Sequence, residues 1–114
     1  MMERRMTTKP LAGIELRSLI TPDGTLRLSL EPVEAGEPGK GELIVRVEGT
    51  PINPSDIGLL LGPADVSSIR ADGTPDLPVL TGHVPQERLA GISARLGQSL
   101  PVGNEGAGTA ILRL

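Results

Sequence analysis

Two runs of alternating apolar and polar residues, joined by a tight turn, constrain the fold of this chain more than any other feature. Residues 14–20 and 26–31 alternate as the side chains of a β-strand do, because successive side chains point to opposite faces of a sheet. The intervening Thr21-Pro22-Asp23-Gly24 combines a proline, which presets φ, with a glycine, which accepts a positive φ. This pattern predicts a β-hairpin.

A third strand and a short helix are expected next. Residues 42–48 carry a central apolar stretch that predicts a strand. We predict a helix over residues 56–61, with Ser55 or Asp56 as its N-cap, because their side-chain oxygens can accept the free amide protons of a first turn. Gly62 is expected to end this helix.

The second half of the chain shows weaker patterns. Residues 62–85 predict a long irregular stretch, with one or two helical turns within residues 64–70. Residues 86–96 predict a helix, and residues 107–114 predict a final strand. The apolar positions of the predicted helix, spaced three and four apart on one face, are Leu89, Ile92 and Leu96.

The core must form without aromatic side chains. The 114 residues include no Phe, Tyr or Trp, although the hydrophobic content of 38% is ordinary for a globular domain. Aromatic side chains normally bury the most area per residue. A core of Leu, Ile, Val, Ala and Met therefore gains a burial free energy that exceeds the conformational entropy cost of folding by only a small margin. We therefore expect one small, mainly β domain with short helices and marginal stability as an isolated chain.

Charge and cysteine content exclude several classes of partner. A net charge of −3 with mixed signs and no ring to stack on a base argues against nucleic-acid binding. The absence of cysteine excludes disulfides and thiolate metal sites and is compatible with the cytoplasm, where we place the protein. The longest apolar run falls far short of the ~20 residues of a membrane span, so no membrane partner is expected.

Two short motifs carry most of the functional information. Asn53-Pro54-Ser55-Asp56 suits a junction between a loop and a helix, and Gly103-Asn104-Glu105-Gly106-Ala107-Gly108 suits a glycine-rich turn into a strand. The glycines of the second motif do not have the spacing of a dinucleotide-binding fingerprint. Each motif alone is explained by local structure, and the two together, in this order, are more specific.

Together, the motifs resemble those of the zinc-free branch of the medium-chain dehydrogenase/reductase family, the quinone oxidoreductases and their relatives. The zinc-binding alcohol dehydrogenases of this family keep Cys-x-x-Asp and Gly-His-Glu-x-x-Gly at these places, and here Asn53 and Asn104 stand at the two ligand positions. The resemblance covers about residues 16–114 and implies that no metal is bound.

The resemblance implies a GroES-like catalytic domain that is only part of a longer enzyme. We expect a flexible arm over residues 1–11 and an incomplete GroES-like barrel over residues 12–114, with the Rossmann domain of the family absent from the chain. Asn53 and Asn104 lie 51 positions apart (104 − 53), about twice the separation that the resemblance implies, so an insertion is expected around residues 62–101.

The implied activity is NADPH-dependent reduction of a small molecule, a quinone or an activated carbonyl. By the resemblance, Asn53, Ser55 and Asp56 belong to the catalytic pocket, while Asn53, Asn104 and Glu105 lie near the cofactor. NADPH would lie across a cleft between this domain and the missing nucleotide-binding domain, so the chain is expected to be inactive alone. The absence of tyrosine points away from the enoyl-thioester reductases.

A second class of function is compatible with the same sequence: a small non-catalytic, β-rich module that binds a protein partner. Self-association into a homo-oligomer is also compatible with it. His83, the only histidine, is expected to be an ordinary solvent-facing residue, because a zinc site needs three or four convergent ligands.

Overall fold

The fold is mainly β with short helices, as predicted. The computed structural model describes residues 11–113, and side chains only up to residue 111. The predicted N-terminal arm therefore lies outside the described residues, except for Leu11, which begins a strand. The strands are β1 (Leu11–Ile20), β2 (Thr25–Ala35), β3 (Leu43–Gly49), β4 (Asp65–Gly73), β5 (Pro78–His83), β6 (Leu100–Pro101) and β7 (Ala107–Arg113); the helices are α1 (Pro54–Leu61), α2 (Gln86–Leu89) and a 3-10 helix (Ala90–Arg95).

The strands form two sheets. The larger sheet has the order β4-β5-β2-β1-β6, and the smaller one pairs β3 with β7 in antiparallel orientation. Within residues 11–113 the larger sheet is open, with β4 and β6 at its edges, so these strands do not close into a barrel.

The predicted hairpin between β1 and β2 is confirmed. The two strands are neighbours in the sheet, and the turn is closed by a bond of 2.9 Å from the amide of Gly24 to the carbonyl of Thr21. Gly24 has φ +90°, which L side chains rarely adopt. The Asp23 carboxylate accepts the Thr25 amide at 3.1 Å and the Thr21 hydroxyl, which fixes the turn from inside.

The chain divides into two compact units. Unit 1 comprises residues 11–14, 32–51 and 105–113 of the described part, and unit 2 comprises residues 15–31 and 52–104. Burial of each large aliphatic side chain in a core contributes roughly 1.5–3 kcal/mol. The buried apolar core, which lies in unit 2, consists of Ile20, Leu26, Leu28, Ala64 and Val84.

The prediction of an irregular stretch over residues 62–85, with helical turns within residues 64–70, is wrong. This segment forms the antiparallel hairpin of β4 and β5, and β5 also pairs with β2. Gly73 turns the hairpin at φ +79°, where a Cβ would lie 2.7 Å from the Leu77 carbonyl oxygen. Pairing with β2 stabilises the strands despite their polar and proline-rich sequence, a tertiary effect that local patterns do not carry.

The predicted helix over residues 86–96 is confirmed in position but not in regularity. One turn of α2 leads into the 3-10 helix, and Ile92 has non-helical dihedrals of φ −125° and ψ 24°. All three predicted apolar positions, Leu89, Ile92 and Leu96, nevertheless pack against the core of unit 2. The Gly97 amide then donates to the Ile20 carbonyl at 2.8 Å, which attaches the end of this segment to β1.

Candidate functional site

The first motif forms the beginning of α1. Asn53 is the N-cap, with extended dihedrals of φ −98° and ψ 155°, and Pro54 occupies the first helical position, where a missing amide proton costs nothing. The prediction that Ser55 or Asp56 caps the helix is therefore wrong, because both lie in its first turn. The spacing Asn-x-x-Asp, that of a capping box, was the signal for the correct assignment.

Asp56 has a structural role in this turn. Its Oδ2 accepts the backbone amide of Asn53 at 2.9 Å, and the Asp56 amide donates to the Asn53 carbonyl at 2.9 Å. The side chains of Asn53 and Asp56 are half-buried, whereas Ser55 is exposed. The side chains of Asn53 and Asp56 both take part in the capping box, and the Ser55 residue is exposed at the positively polarised end of the helix.

The second motif lies in the segment between β6 and β7. Gly103 has φ +100°, which favours glycine, and the preceding Val102 is held by a bond of 3.0 Å from its amide to the Leu16 carbonyl. Asn104 and Glu105 follow and are exposed. Their exposed positions leave them accessible to a small molecule.

The last glycine of the motif is required by strand pairing. A Cβ at Gly108 would fall far inside contact distance of the Arg46 carbonyl oxygen and 2.9 Å from the Val47 Cα. At Gly106 a Cβ would lie 3.4 Å from Val47 Cγ1 and 3.6 Å from Thr50 Cγ2. Strand pairing alone therefore requires glycine at position 108, whether or not a cofactor binds nearby.

Chain connectivity relates the two motifs. Gly49 of β3 pairs with Ala107 of β7 at one end of their antiparallel ladder. Asn53 follows Gly49 by four residues (53 − 49), and Asn104 precedes Ala107 by three (107 − 104). The two motifs are therefore close in the chain to this pair of residues, and within the first motif Asn53 and Asp56 are in direct contact.

A polar network that no local sequence pattern marks holds the other end of α1. Arg95 donates from Nη1 to the Leu59 carbonyl at 3.1 Å and from Nη2 to the Ser18 hydroxyl at 3.0 Å. Ser18 in turn donates to the Leu60 carbonyl at 2.7 Å. α1 has no basic residue in its last turn, so Arg95 supplies the positive charge that its carbonyl end favours. Burial lowers the pKa of Arg95 from its ordinary value.

A serine, a histidine and an aspartate also meet where β4 begins and β5 ends, but not as a catalytic triad. Asp65 and His83 are paired across the two strands. The Ser68 hydroxyl donates to the Asp65 backbone carbonyl at 2.6 Å and accepts the His83 amide at 2.8 Å, so it is occupied by backbone groups. Hydrogen bonds from Ser67 hold the pKa of the Asp65 carboxyl below its usual value.

Neither metal-binding clusters nor membrane helices are found in the part of the chain that the structure describes. Among residues 11–113 no three or more His, Asp or Glu side chains are grouped so that they could hold a metal ion. No helix within the same residues is long and apolar enough to cross a membrane.

The chain shows no match to known families. No protein-family model matches it, and no curated protein matches it.

Proposed function

We propose that this chain is the GroES-like, substrate-side part of a zinc-free medium-chain dehydrogenase/reductase, an NADPH-dependent enzyme that reduces a quinone or an activated carbonyl. The observation that carries the proposal is the order of the two motifs along the chain, one directly after β3 and the other directly before β7. Asn53 begins the helix that follows β3, Asn104 lies in the segment that leads into β7, and the pair Gly49 and Ala107 joins the two strands. The order of elements, a hairpin and a third strand followed by α1, supports a GroES-like domain.

The residues present fit one end of the proposed cofactor. The side chains of Asn53, Ser55 and Asn104 can donate and accept hydrogen bonds, as the carboxamide and ribose of a nicotinamide nucleotide require. Neither motif contains Lys or Arg, so neither offers a cationic side chain to the phosphates. This division supports a role in positioning the nicotinamide, with the phosphates bound by a separate nucleotide-binding domain.

When bound, NADPH would supply the hydride, and the chain would supply position and polarity. Asn53 would orient the nicotinamide and its ribose from the N-terminal end of α1. Ser55 would face the small-molecule substrate, and Asp56 would hold the turn through the Asn53 amide. Glu105 and Asn104 would border the cofactor from the second motif. The proposal places this reaction in the cytoplasm.

A titration of the chain with the two halves of NADPH tests the proposal. Isotope-labelled protein is mixed either with reduced nicotinamide mononucleotide or with adenosine 2′,5′-bisphosphate, and amide shifts are recorded by NMR. We expect weak, saturable shifts of the side-chain amides of Asn53 and Asn104 with the nicotinamide half alone. Shifts with the adenosine half, or none with either at millimolar ligand, would contradict the assignment.

One observation favours the alternative function, a non-catalytic β-rich module that binds a protein. Large apolar side chains of β3 are exposed, among them Leu43 at 48% and Val47 at 58%. Exposed apolar surface of this kind is typical of interaction sites. The alternative predicts a folded chain that binds a protein and gives no shift with the nicotinamide half.

A further inference from the structure

Two aspartates of the chain are followed by glycine, and in this dipeptide a backbone amide attacks a side-chain carboxyl most readily. Glycine has no Cβ, so its nitrogen can approach the carboxyl carbon of the preceding residue closely. The two are Asp23, in the turn between β1 and β2, and Asp72, in the last part of β4. Both stand in the tripeptide Asp-Gly-Thr, so the fold, and not the residues next to the reacting groups, distinguishes the two sites.

At Asp72 the fold brings the two reacting groups together. The Gly73 amide donates to Oδ1 of Asp72 at 2.8 Å, so the carboxyl carbon, one covalent bond from Oδ1, lies beside the amide nitrogen. Asp72 and Gly73 are both exposed, and β4 is an edge strand of its sheet. Water therefore reaches both groups, and an attack that depends on their alignment begins from a favourable arrangement.

The register of the β4–β5 hairpin explains why the Gly73 amide is available. The Thr74 amide donates to the Leu77 carbonyl at 3.3 Å, and Gly73 is paired with Pro78. Hydrogen-bonded and non-hydrogen-bonded pairs alternate along an antiparallel ladder, so the pair of Gly73 and Pro78 is a non-hydrogen-bonded one. The Gly73 amide therefore points away from β5, towards the free edge of the sheet, where it meets the Asp72 carboxylate.

At Asp23 the same two groups are bound elsewhere. The carboxylate accepts the Thr25 amide at 3.1 Å and the Thr21 hydroxyl, and the Gly24 amide donates to the Thr21 carbonyl at 2.9 Å. Gly24 is also buried. Attack of the Gly24 nitrogen on the Asp23 carboxyl would first require these hydrogen bonds to break, which makes the turn a protected site.

We propose that Asp72 is a site of spontaneous isomerisation to isoaspartate in the folded chain, and that Asp23 is protected from it. The Gly73 nitrogen forms a bond to Cγ of the protonated Asp72 carboxyl, and the amide proton and the carboxyl hydroxyl leave together as one water. The product is a cyclic succinimide, which one water then opens. Cleavage of the bond from nitrogen to Cγ restores aspartate, and cleavage of the bond from nitrogen to the main-chain carbonyl carbon gives isoaspartate. One water leaves and one enters, with no oxidation or reduction.

Isomerisation would disrupt the end of the hairpin. Isoaspartate carries the main chain through Cγ, which adds one carbon to β4 between the position paired with Val79 and the position paired with Pro78. The bonds that close the hairpin beyond this point, from the Thr74 amide to the Leu77 carbonyl and from the Leu77 amide to the Thr74 hydroxyl, then lose their register. Amides at this end of the hairpin should exchange faster in the isomerised chain.

Peptide mapping tests the proposal on the intact chain. The folded protein is incubated at neutral pH and physiological temperature and is then digested with trypsin, which places the two sites in separate peptides, 18–27 and 71–88. Chromatography and electron-transfer fragmentation identify isoaspartate in each peptide. We expect isoaspartate to form at least about tenfold faster at Asp72 than at Asp23, because the hydrogen bonds around Asp23 must break before reaction.

Incubation in urea separates the effect of the fold from that of the sequence. The unfolded chain should isomerise at similar rates at Asp23 and Asp72, because the two sites share one tripeptide. Thr21→Val removes the hydroxyl that donates to Asp23, so it should raise the rate at Asp23 and leave the rate at Asp72 unchanged. Asp72→Glu keeps the charge but requires a larger ring, so it should stop the conversion at this position.

Equal rates at the two sites in the folded chain overturn the proposal. So does a rate at Asp72 that is much lower in the folded chain than in urea, because the hairpin would then hold the two groups apart from reaction. None of these outcomes depends on the NADPH-dependent function proposed above, because no residue of the two motifs takes part.

Discussion

Arg95 and Ser18, 77 positions apart in the chain, are joined by a hydrogen bond of 3.0 Å that attaches the 3-10 helix to β1. Through this pair both residues reach the end of α1, Arg95 at the carbonyl of Leu59 and Ser18 at the carbonyl of Leu60. Ser18 is fully buried, so its hydroxyl needs these partners. The pair fixes one end of the helix whose other end carries the candidate site.

Replacement of Arg95 by Met should destabilise the chain by about 1–3 kcal/mol, since hydrogen bonds from a charged donor are lost and the helix end is left without a cation. Arg88→Met is the matched control, because Arg88 makes a single exposed bond, to the Pro63 carbonyl at 3.0 Å. Its effect should stay within about 0.5 kcal/mol. Urea unfolding measures both variants, and equal losses would contradict the role assigned to Arg95.

Alanine at Gly108 should disrupt the pairing of β3 with β7. The added methyl group would overlap the Arg46 carbonyl, and overpacking of this kind costs about 1–3 kcal/mol. Gly49→Ala is the control in the same ladder, since a Cβ there meets no other atom within 4 Å. Amide hydrogen exchange should speed up along β3 in Gly108→Ala and remain near the wild-type rate in Gly49→Ala. The reverse order would refute the packing described here.

The turn between β1 and β2 should make the stability of the chain depend on pH in the acid range. Hydrogen bonds from Thr21, and then from Thr25, hold the pKa of the Asp23 carboxyl below its ordinary value. A carboxyl whose pKa is lower in the folded chain than in the unfolded chain stabilises the fold at pH values above its unfolded pKa of about 3.9. This contribution is lost as the pH falls through the pKa of the folded chain. Below about pH 4, the urea concentration at the unfolding midpoint should therefore decrease more steeply for the wild type than for Asp23→Asn.

Thr21→Val provides a second arm of this experiment. It removes the hydroxyl that donates to Asp23, so it should flatten the acid dependence in the same direction as Asp23→Asn. Parallel curves for the wild type and both variants would show that the turn contributes nothing to the pH dependence.

Local patterns were sufficient for the elements that residues close together in the chain specify. The alternation in residues 14–20 and 26–31, with a Pro-Asp-Gly turn between them, predicted β1 and β2, and the apolar stretch of residues 42–48 predicted β3. Gly62 was correctly expected to end α1, and its amide donates to the Gly58 carbonyl at 2.8 Å. These elements are specified by residues close together in the chain, which is the reason that a sequence pattern finds them.

Elements that depend on distant residues were missed. β4 contains Ser67 and Ser68 and lacks a clear alternation, and it is stabilised through β5, which pairs with β2. The contacts of Arg95 with Ser18 and Leu59 span 77 and 36 positions, and no local signal marks them. Asn53 is different, because the Asn-x-x-Asp spacing of a capping box was present in the sequence and identifies the N-cap.

No zinc should bind to the chain. Asn53 and Asn104 stand where the zinc-binding members of the proposed family have ligands, and the chain has no cysteine. Elemental analysis of protein purified without chelator should give less than about one-tenth of an equivalent of zinc. Stoichiometric zinc that survives dialysis would overturn this prediction and, with it, the assignment to the zinc-free branch.

The last prediction separates the two roles of Asn53, which caps α1 and is proposed to orient the nicotinamide. The isolated chain should not bind NADPH measurably in the micromolar range, because the proposed function assigns the phosphate and adenine contacts to another domain. In a protein that joins this chain to a nucleotide-binding domain, Asn53→Ala should lower turnover more than it weakens NADPH binding, since a misplaced nicotinamide loses its reactive geometry first.

Asn53→Asp is the control for capping, because Asp is as good an N-cap as Asn but lacks the amide donor. If the amide orients the cofactor, Asn53→Asp keeps the thermal stability of the wild type and loses turnover as Asn53→Ala does. Wild-type turnover in Asn53→Asp together with a loss in Asn53→Ala would reduce Asn53 to a helix cap, and calorimetry showing tight NADPH binding to the isolated chain would contradict the division of the cofactor site between two domains.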